Sequence, residues 1–186
     1  MSKLEATKES LRILYESDTR PWVVAYSGGK DSTAVLQLVY ELLMEEQAAG
    51  KSGKPVFVVS SDTGVEAPNV AQYVSSTLSQ IGLSAKKQRL DLSVELVTPE
   101  ADEEFWSKLI GLGYPPPTRW FRWCTTNMKI KPSRRAIDAI TRKYGSVILL
   151  LGTRSNESVS RGNAIAARET NQLGLNRHHE IPDALV

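Results

Sequence analysis

Ser27-Gly-Gly-Lys-Asp-Ser32 is the segment of this chain whose residue types and spacing most plainly suit chemistry. Two adjacent glycines, Gly28 and Gly29, let a backbone turn sharply and approach a ligand without Cβ clashes. The N–H groups of such a turn, with the free donors of a following helix start, form a cradle for an anion. Lys30 and the hydroxyls of Ser27 and Ser32 add donors for phosphate oxygens, and Asp31 suits a magnesium ion or an orienting role. Two other phosphate loops are excluded. The P-loop pattern fails because Asp31 follows Lys30 and Val24 stands where its first glycine belongs. The dinucleotide pattern G-x-G-x-x-G fails because the glycines are adjacent.

Three later segments carry chemistry-bearing side chains: Asp62-Thr-Gly-Val-Glu66, Arg122-Trp-Cys-Thr-Thr-Asn-Met-Lys129 with Lys131-Pro132, and Gly152-Thr-Arg-Ser-Asn-Glu-Ser158. Each also has a plainer reading. Asp62-Thr63-Gly64 suits an ordinary turn, and Arg154 with Glu157 suits a surface ion pair. Trp120, Phe121 and Trp123, interleaved with Arg119 and Arg122, suit base stacking or core packing, and packing is expected for two of the three rings. His178 and His179 lie in a polar stretch and are expected at the surface. Cys124 is the one cysteine, open to three readings: cluster ligand, sulfur-carrying nucleophile or structural residue. Its basic neighbours Arg122, Lys129 and Lys131 suit a metal-binding thiolate.

The elements that must hold these residues alternate between short apolar runs and helical patterns, the signature of a parallel α/β sheet. Strands are predicted at 22–26, 56–60, 85–90 and 147–151. The first 22 residues have the pattern of an amphipathic helix. A second helix runs from the loop to about Gln47, and Pro68 opens a third, which Gly82 is expected to close. Phe105, Trp106, Leu109 and Ile110 mark a short helix, and Pro132 opens one that Gly145 stops. The fold class is a single doubly wound parallel sheet with flanking helices, the ligand lying at the carboxyl ends of its strands.

Composition bounds the rest. The 186 residues suit one domain, spanning 1–186. No apolar run is long enough to cross a membrane, and neither a signal segment nor an internal disulfide is available, so a cytoplasmic location is expected. Net charge is only +2, but its distribution is uneven. Residues 91–104 hold six acids and no base, whereas residues 119–143 hold eight bases and one acid, Asp138. Apolar Ile181-Pro-Asp-Ala-Leu-Val186 closes the sequence, and the chain is expected to be part of a longer one.

Ser27–Ser32 resembles the pyrophosphate loop of the adenine-nucleotide α-hydrolase superfamily, and the three later segments resemble, in order, those of phosphoadenosine phosphosulfate reductases. Within that group, Arg20–Thr33, Phe105-Trp106, Leu109–Gly111 with Gly113–Pro115, and Phe121–Thr125 are similar to DndC-type sulfurtransferases of bacterial DNA phosphorothioation systems. The resemblance implies cleavage of ATP, with magnesium, to AMP and pyrophosphate. It implies Lys30, Asp31, Asp62, Lys129 and Arg154 as catalytic residues. Ser27, Gly28, Gly29, Lys30, Asp31, Ser32, Asp62, Thr63, Gly152 and Arg154 would contact the nucleotide. It implies a 4Fe-4S cluster in a longer protein, with Cys124 as one ligand and the cluster absent from this form, since four ligands are wanted. DNA, a cysteine desulfurase and other phosphorothioation-system proteins are the implied partners, and no membrane. The rivals are a sulfonucleotide reductase, weakened because no cysteine follows Cys124, and a non-catalytic nucleotide-binding module.

Overall fold

A computed structural model describes residues 2–51, 53–153 and 184–186 of the chain. Five parallel strands are described: β1 (Trp22–Ala25), β2 (Val56–Ser61), β3 (Leu92–Val97), β4 (Val147–Leu151) and the short β5 (Ala184–Leu185). Their order is β3-β2-β1-β4-β5. The chain therefore winds outward from β1 through β2 to β3 and then returns to the other side of β1. That reversal creates a switch point between β1 and β4, where ligands bind in open α/β sheets.

The middle strand is covered on both faces, as parallel sheets require. Alternation sends its neighbours in opposite directions. Trp22 and Val24 face one core with Val56, Val58 and Ile148, covered by α1 (Lys3–Glu16), α2 (Lys30–Ala48) and α3 (Pro68–Gln88). Val23 faces the other core with Val59, Val147 and Leu149, covered by Ala136, Ile137 and Ile140 of α5 (Lys131–Tyr144). Ser2 caps α1 in a reciprocal capping box with Glu5, and Gly145, at φ +85°, ends α5 as expected.

Two boundaries differ from expectation. Gly82 does not close α3; a Cβ there would meet Val94 Cγ2 at an ordinary 3.8 Å, and the helix continues to Gln88. The predicted strand at 85–90 is therefore the helix end. Ala85 is fully buried, Lys86 and Lys87 sit favourably in the last turn, and Arg89 caps it at φ 56°. The strand follows as β3, whose Ser93 and Glu95 are exposed. The expected short helix near 105–110 is present, helical from Phe105 and π-helical over Ser107–Gly111. A second π-helical turn, Thr126–Ile130, joins the three-residue α4 (Trp123–Thr125) to α5. Among the described residues, no helix is long and apolar enough to cross a membrane.

Candidate functional site

The loop after β1 is held by short polar contacts. Ser32 Oγ accepts from the Ser27 backbone N–H at 3.2 Å and donates to the Gly29 carbonyl at 3.0 Å. The Ser27 and Ser32 hydroxyls lie 3.1 Å apart. Gly28 has φ +72°, and a Cβ on it would lie 2.6 Å from Val74 Cγ2 on α3, so both conformation and space require glycine. Gly29 is the N-cap of α2 and supplies no side-chain acceptor, which leaves the first-turn N–H groups without a side-chain cap. The positive end of a 19-residue helix thus opens beside the ends of β1 and β4.

Gly152 has a different reason to be glycine. A Cβ there would lie 2.6 Å from the Asp31 carbonyl carbon and from the Ser32 nitrogen. The end of β4 touches the backbone of the α2 first turn, and only a residue without a side chain permits that approach.

A cavity of about 280 Å³ lies at the carboxyl ends of β1, β2 and β4. Of the residues expected from the sequence, Ser27, Ser32, Asp62, Lys129 and Gly152 line it. Gly28, Gly29, Lys30 and Asp31 form the turn beside it and do not line its wall. Asp62 Oδ1 accepts the Gly64 N–H at 2.9 Å, so the turn reading of this segment also holds. Thr63 is buried and is tied to Glu66, its hydroxyl donating to Oε2 at 2.6 Å. It belongs to a smaller cavity across the Asp62 turn, lined also by Phe105 and Trp106. Arg154, Glu157, His178 and His179 lie outside the described residues.

The cavity also has a wall that motif reading missed. Val59, Val70, Val74, Leu96 and Leu151 make one side apolar, while Ser60, Ser61, Ser133 and Thr153 add polar groups. Ser61 and Ser133 bond each other at 2.9 Å and join β2 to α5. An apolar wall suits a flat base, and the hydroxyl- and amide-rich side next to the α2 start suits phosphates. Lys30 and Lys129 are exposed and make no ion pair among the described residues. Both are available to an anionic ligand.

Beside Lys129, Glu103 is 6% exposed and is gripped by Lys131 Nζ at 2.7 Å and Arg135 at 2.9 Å. Burial pushes its carboxyl up, but the hydrogen bonds and charges of Lys131 and Arg135 outweigh that and hold it below the usual range. This clamp fastens the segment after β3 to the start of α5. It also commits the Lys131 charge that the sequence placed near Cys124.

Cys124 is half-buried in α4. It is the only thiol in the sequence, and among the described residues no group of three or more His, Cys, Asp or Glu is placed to hold a metal. These residues do not fit an iron–sulfur cluster held by this chain alone. The packing expectation for the neighbouring rings is also corrected. Trp123 is 7% exposed and stacks on Phe105 at 5.5 Å, but Phe121 is 45% and Trp120 91% exposed. One ring packs and two do not.

Residues 21–174 match the model of the phosphoadenosine phosphosulfate reductase domain family, and the chain belongs to that family. It is 30% identical over 147 residues to an uncharacterized protein of Methanocaldococcus jannaschii, a match covering 79% of this chain but only 25% of that protein. Among solved structures, it is similar to the U34-tRNA thiolase NcsA of Methanococcus maripaludis with its 4Fe-4S cluster. The TM-score is 0.49 and the identity 13%, over 88% of this chain and 48% of the thiolase. It is also similar to an NAD+ synthetase from Burkholderia pseudomallei, with a TM-score of 0.48 and 16% identity over 91% of this chain and 78% of the synthetase.

Proposed function

We propose that the cavity binds ATP with magnesium and cleaves it between the α and β phosphates, activating an acceptor for sulfur transfer. The observation carrying this reading is the cavity at the switch point, where Ser27, Ser32, Asp62, Lys129 and Gly152 meet although they come from separate segments. In this reading the α2 first turn, with Lys30, receives the departing pyrophosphate. Lys129 neutralises charge developing on the transferred group, so catalysis rests on positioning and electrostatics. Two carboxylates line the wall, Asp62 and Glu66. Glu66 Oε2 is engaged by Thr63, and Asp62 is the one that would hold magnesium, which screens the phosphate charges when bound. Arg154 would add a further cation.

The acceptor in our reading is a DNA backbone phosphate. A phosphodiester oxygen is a poor leaving group. When it attacks the α phosphorus, pyrophosphate departs; AMP then leaves with that oxygen when a sulfur nucleophile displaces it. The sulfur would come from a cysteine desulfurase as a persulfide whose outer sulfur displaces AMP. An added thiol then cleaves the remaining S–S bond, leaving the phosphorothioate on DNA and a disulfide on the carrier. A cluster would need ligands besides Cys124. The family match also keeps a sulfonucleotide reductase in view, with the same cavity holding an adenylyl sulfate.

Chromatography of the nucleotide products separates these readings. Our proposal expects AMP and pyrophosphate from ATP and magnesium, together with phosphorothioate-linked dinucleotides in digested DNA when desulfurase and cysteine are supplied. ADP and phosphate would contradict the cleavage site. AMP formation without sulfur in DNA would retain the hydrolase and remove the DNA step, and sulfite release from an adenylyl sulfate would favour the reductase.

A further inference from the structure

The segment between β3 and α4 presents an uneven surface. Trp106, Ile110, Leu112, Trp120 and Phe121 are all exposed within sixteen residues, 106–121. Trp120 stands almost wholly in water, with the Arg119 guanidinium 5.7 Å from its ring centroid. Clustered apolar side chains in solvent mark an interaction surface. Charge narrows the partner. Arg119 and Arg122 are exposed and form no ion pair among the described residues, whereas Lys131 and Arg135 are committed to Glu103 and Arg134 to Asp138. Free guanidinium groups beside exposed flat rings complement a chain that is both anionic and aromatic. A duplex hides its base faces in the stack, so this pairing suits an unpaired strand.

Position supports the same reading. Arg122 directly precedes α4, and Lys129 follows on the cavity wall within the same run of helical turns. Seven residues at helical rise span roughly 10 Å. A strand held at the turn could therefore bring a backbone phosphate to the cavity mouth. We propose that the Trp120–Phe121 turn, with Arg119 and Arg122, is a docking platform for single-stranded nucleic acid, the bases stacking on the rings and the backbone running towards Lys129. This rests on the proposed function and specifies how its acceptor is presented.

The test uses the full chain and the fluorescence anisotropy of a labelled thymidine strand of about ten nucleotides. Trp120→Ala should weaken binding roughly 5- to 150-fold, the loss of one stacked base. The double variant Arg119→Gln, Arg122→Gln should make the log–log salt dependence shallower by about 1.4. Both variants should bind ATP as the parent does, and a matched duplex should bind more weakly. A uridine strand separates RNA from DNA as the source, since either supports the platform. Unchanged affinity in Trp120→Ala, or equal affinity for the duplex, would overturn the proposal. So would absence of strand binding with a self-association that Trp120→Ala abolishes, which would give the face to a second copy. Strand binding without ATP binding would leave the platform standing and break the ATP reading instead.

Discussion

Two lysines at opposite ends of one sheet show how differently this molecule uses a cation. Lys54, just before β2, has a side chain only 6% exposed. Its ammonium lies 4.7 Å from the Tyr15 ring centroid and 5.0 Å from that of Trp22, and it reaches Asp18 Oδ1 at 3.4 Å. Desolvation pulls the lysine below its ordinary range despite the attraction of Asp18. Asp18 is likewise below its own range: burial pushes it up, but the Arg20 hydrogen bonds and the Lys54 charge outweigh burial. Lys129, at the other end, is exposed on the cavity wall and has no ion-pair partner among the described residues. A buried cation with partners locks α1 to the sheet. An exposed one without partners is left for a ligand. Here the buried, partnered cation marks structure, and the exposed one without an ion-pair partner among the described residues lies at the candidate site.

The contrast can be broken by substitutions at each end. The largest effect is expected from Gly152→Val, which drives a side chain into the backbone of the α2 first turn. ATP affinity should fall at least about 100-fold, with a stability loss of about 1–3 kcal/mol. Gly111→Val, whose Cβ meets nothing within 4 Å, is the control and should leave calorimetric affinity unchanged. Next come the two lysines. Lys129→Met should lower ATP affinity roughly 10- to 150-fold, the loss of a charge-assisted contact, and leave the denaturant midpoint in place. Lys54→Met should do the reverse, costing about 1–2 kcal/mol of stability with ATP affinity unchanged. If both act on affinity, the division of roles fails.

The smallest effect concerns acid. Glu103 has a lowered folded pKa, so the unfolded chain binds the proton more readily. Its stabilisation is complete above the ordinary glutamate value, near pH 4.5, and is lost as pH falls through the lower folded value. Glu103→Gln should therefore lower stability most above about pH 4.5, where the ionised clamp is complete, and converge with the parent as pH falls, which flattens the acid limb of the stability–pH curve. An unaltered limb would mean that the clamp contributes nothing.

Much of this was legible in the residues, for physical reasons that differ by region. Strands β1, β2 and β4 are buried on both sides and read as unbroken apolar runs. The turn after β1 announces itself because Gly28, at φ +72° and with a Cβ that would strike Val74, admits no other residue. β3 was harder to read: it is an edge strand with exposed polar positions, and the basic residues before it cap a helix rather than interrupt a strand. The apolar wall of the cavity was hidden for another reason. Val70 and Val74 repeat at helical spacing with Leu78, so all three read as one core face. Yet Leu78 is 4% exposed, whereas Val70 is 43% exposed and turns to the cavity with Val74. Periodicity gives the face of a helix and not the point where a core ends and a binding site begins. The exposure of Trp120 is similar, since it depends on how the proline-rich turn that precedes it directs the ring, which residue types do not reveal.

The central claim is that the turn after β1 and the cavity beside it receive the triphosphate. Calorimetric titration of ATP into the parent chain and into Lys30→Ala and Gly29→Val, with circular dichroism on each, tests it most directly. Saturable binding by the parent, strongly weakened in both variants with unchanged helix and strand signals, is the predicted result. Undiminished affinity in both folded variants would contradict the account.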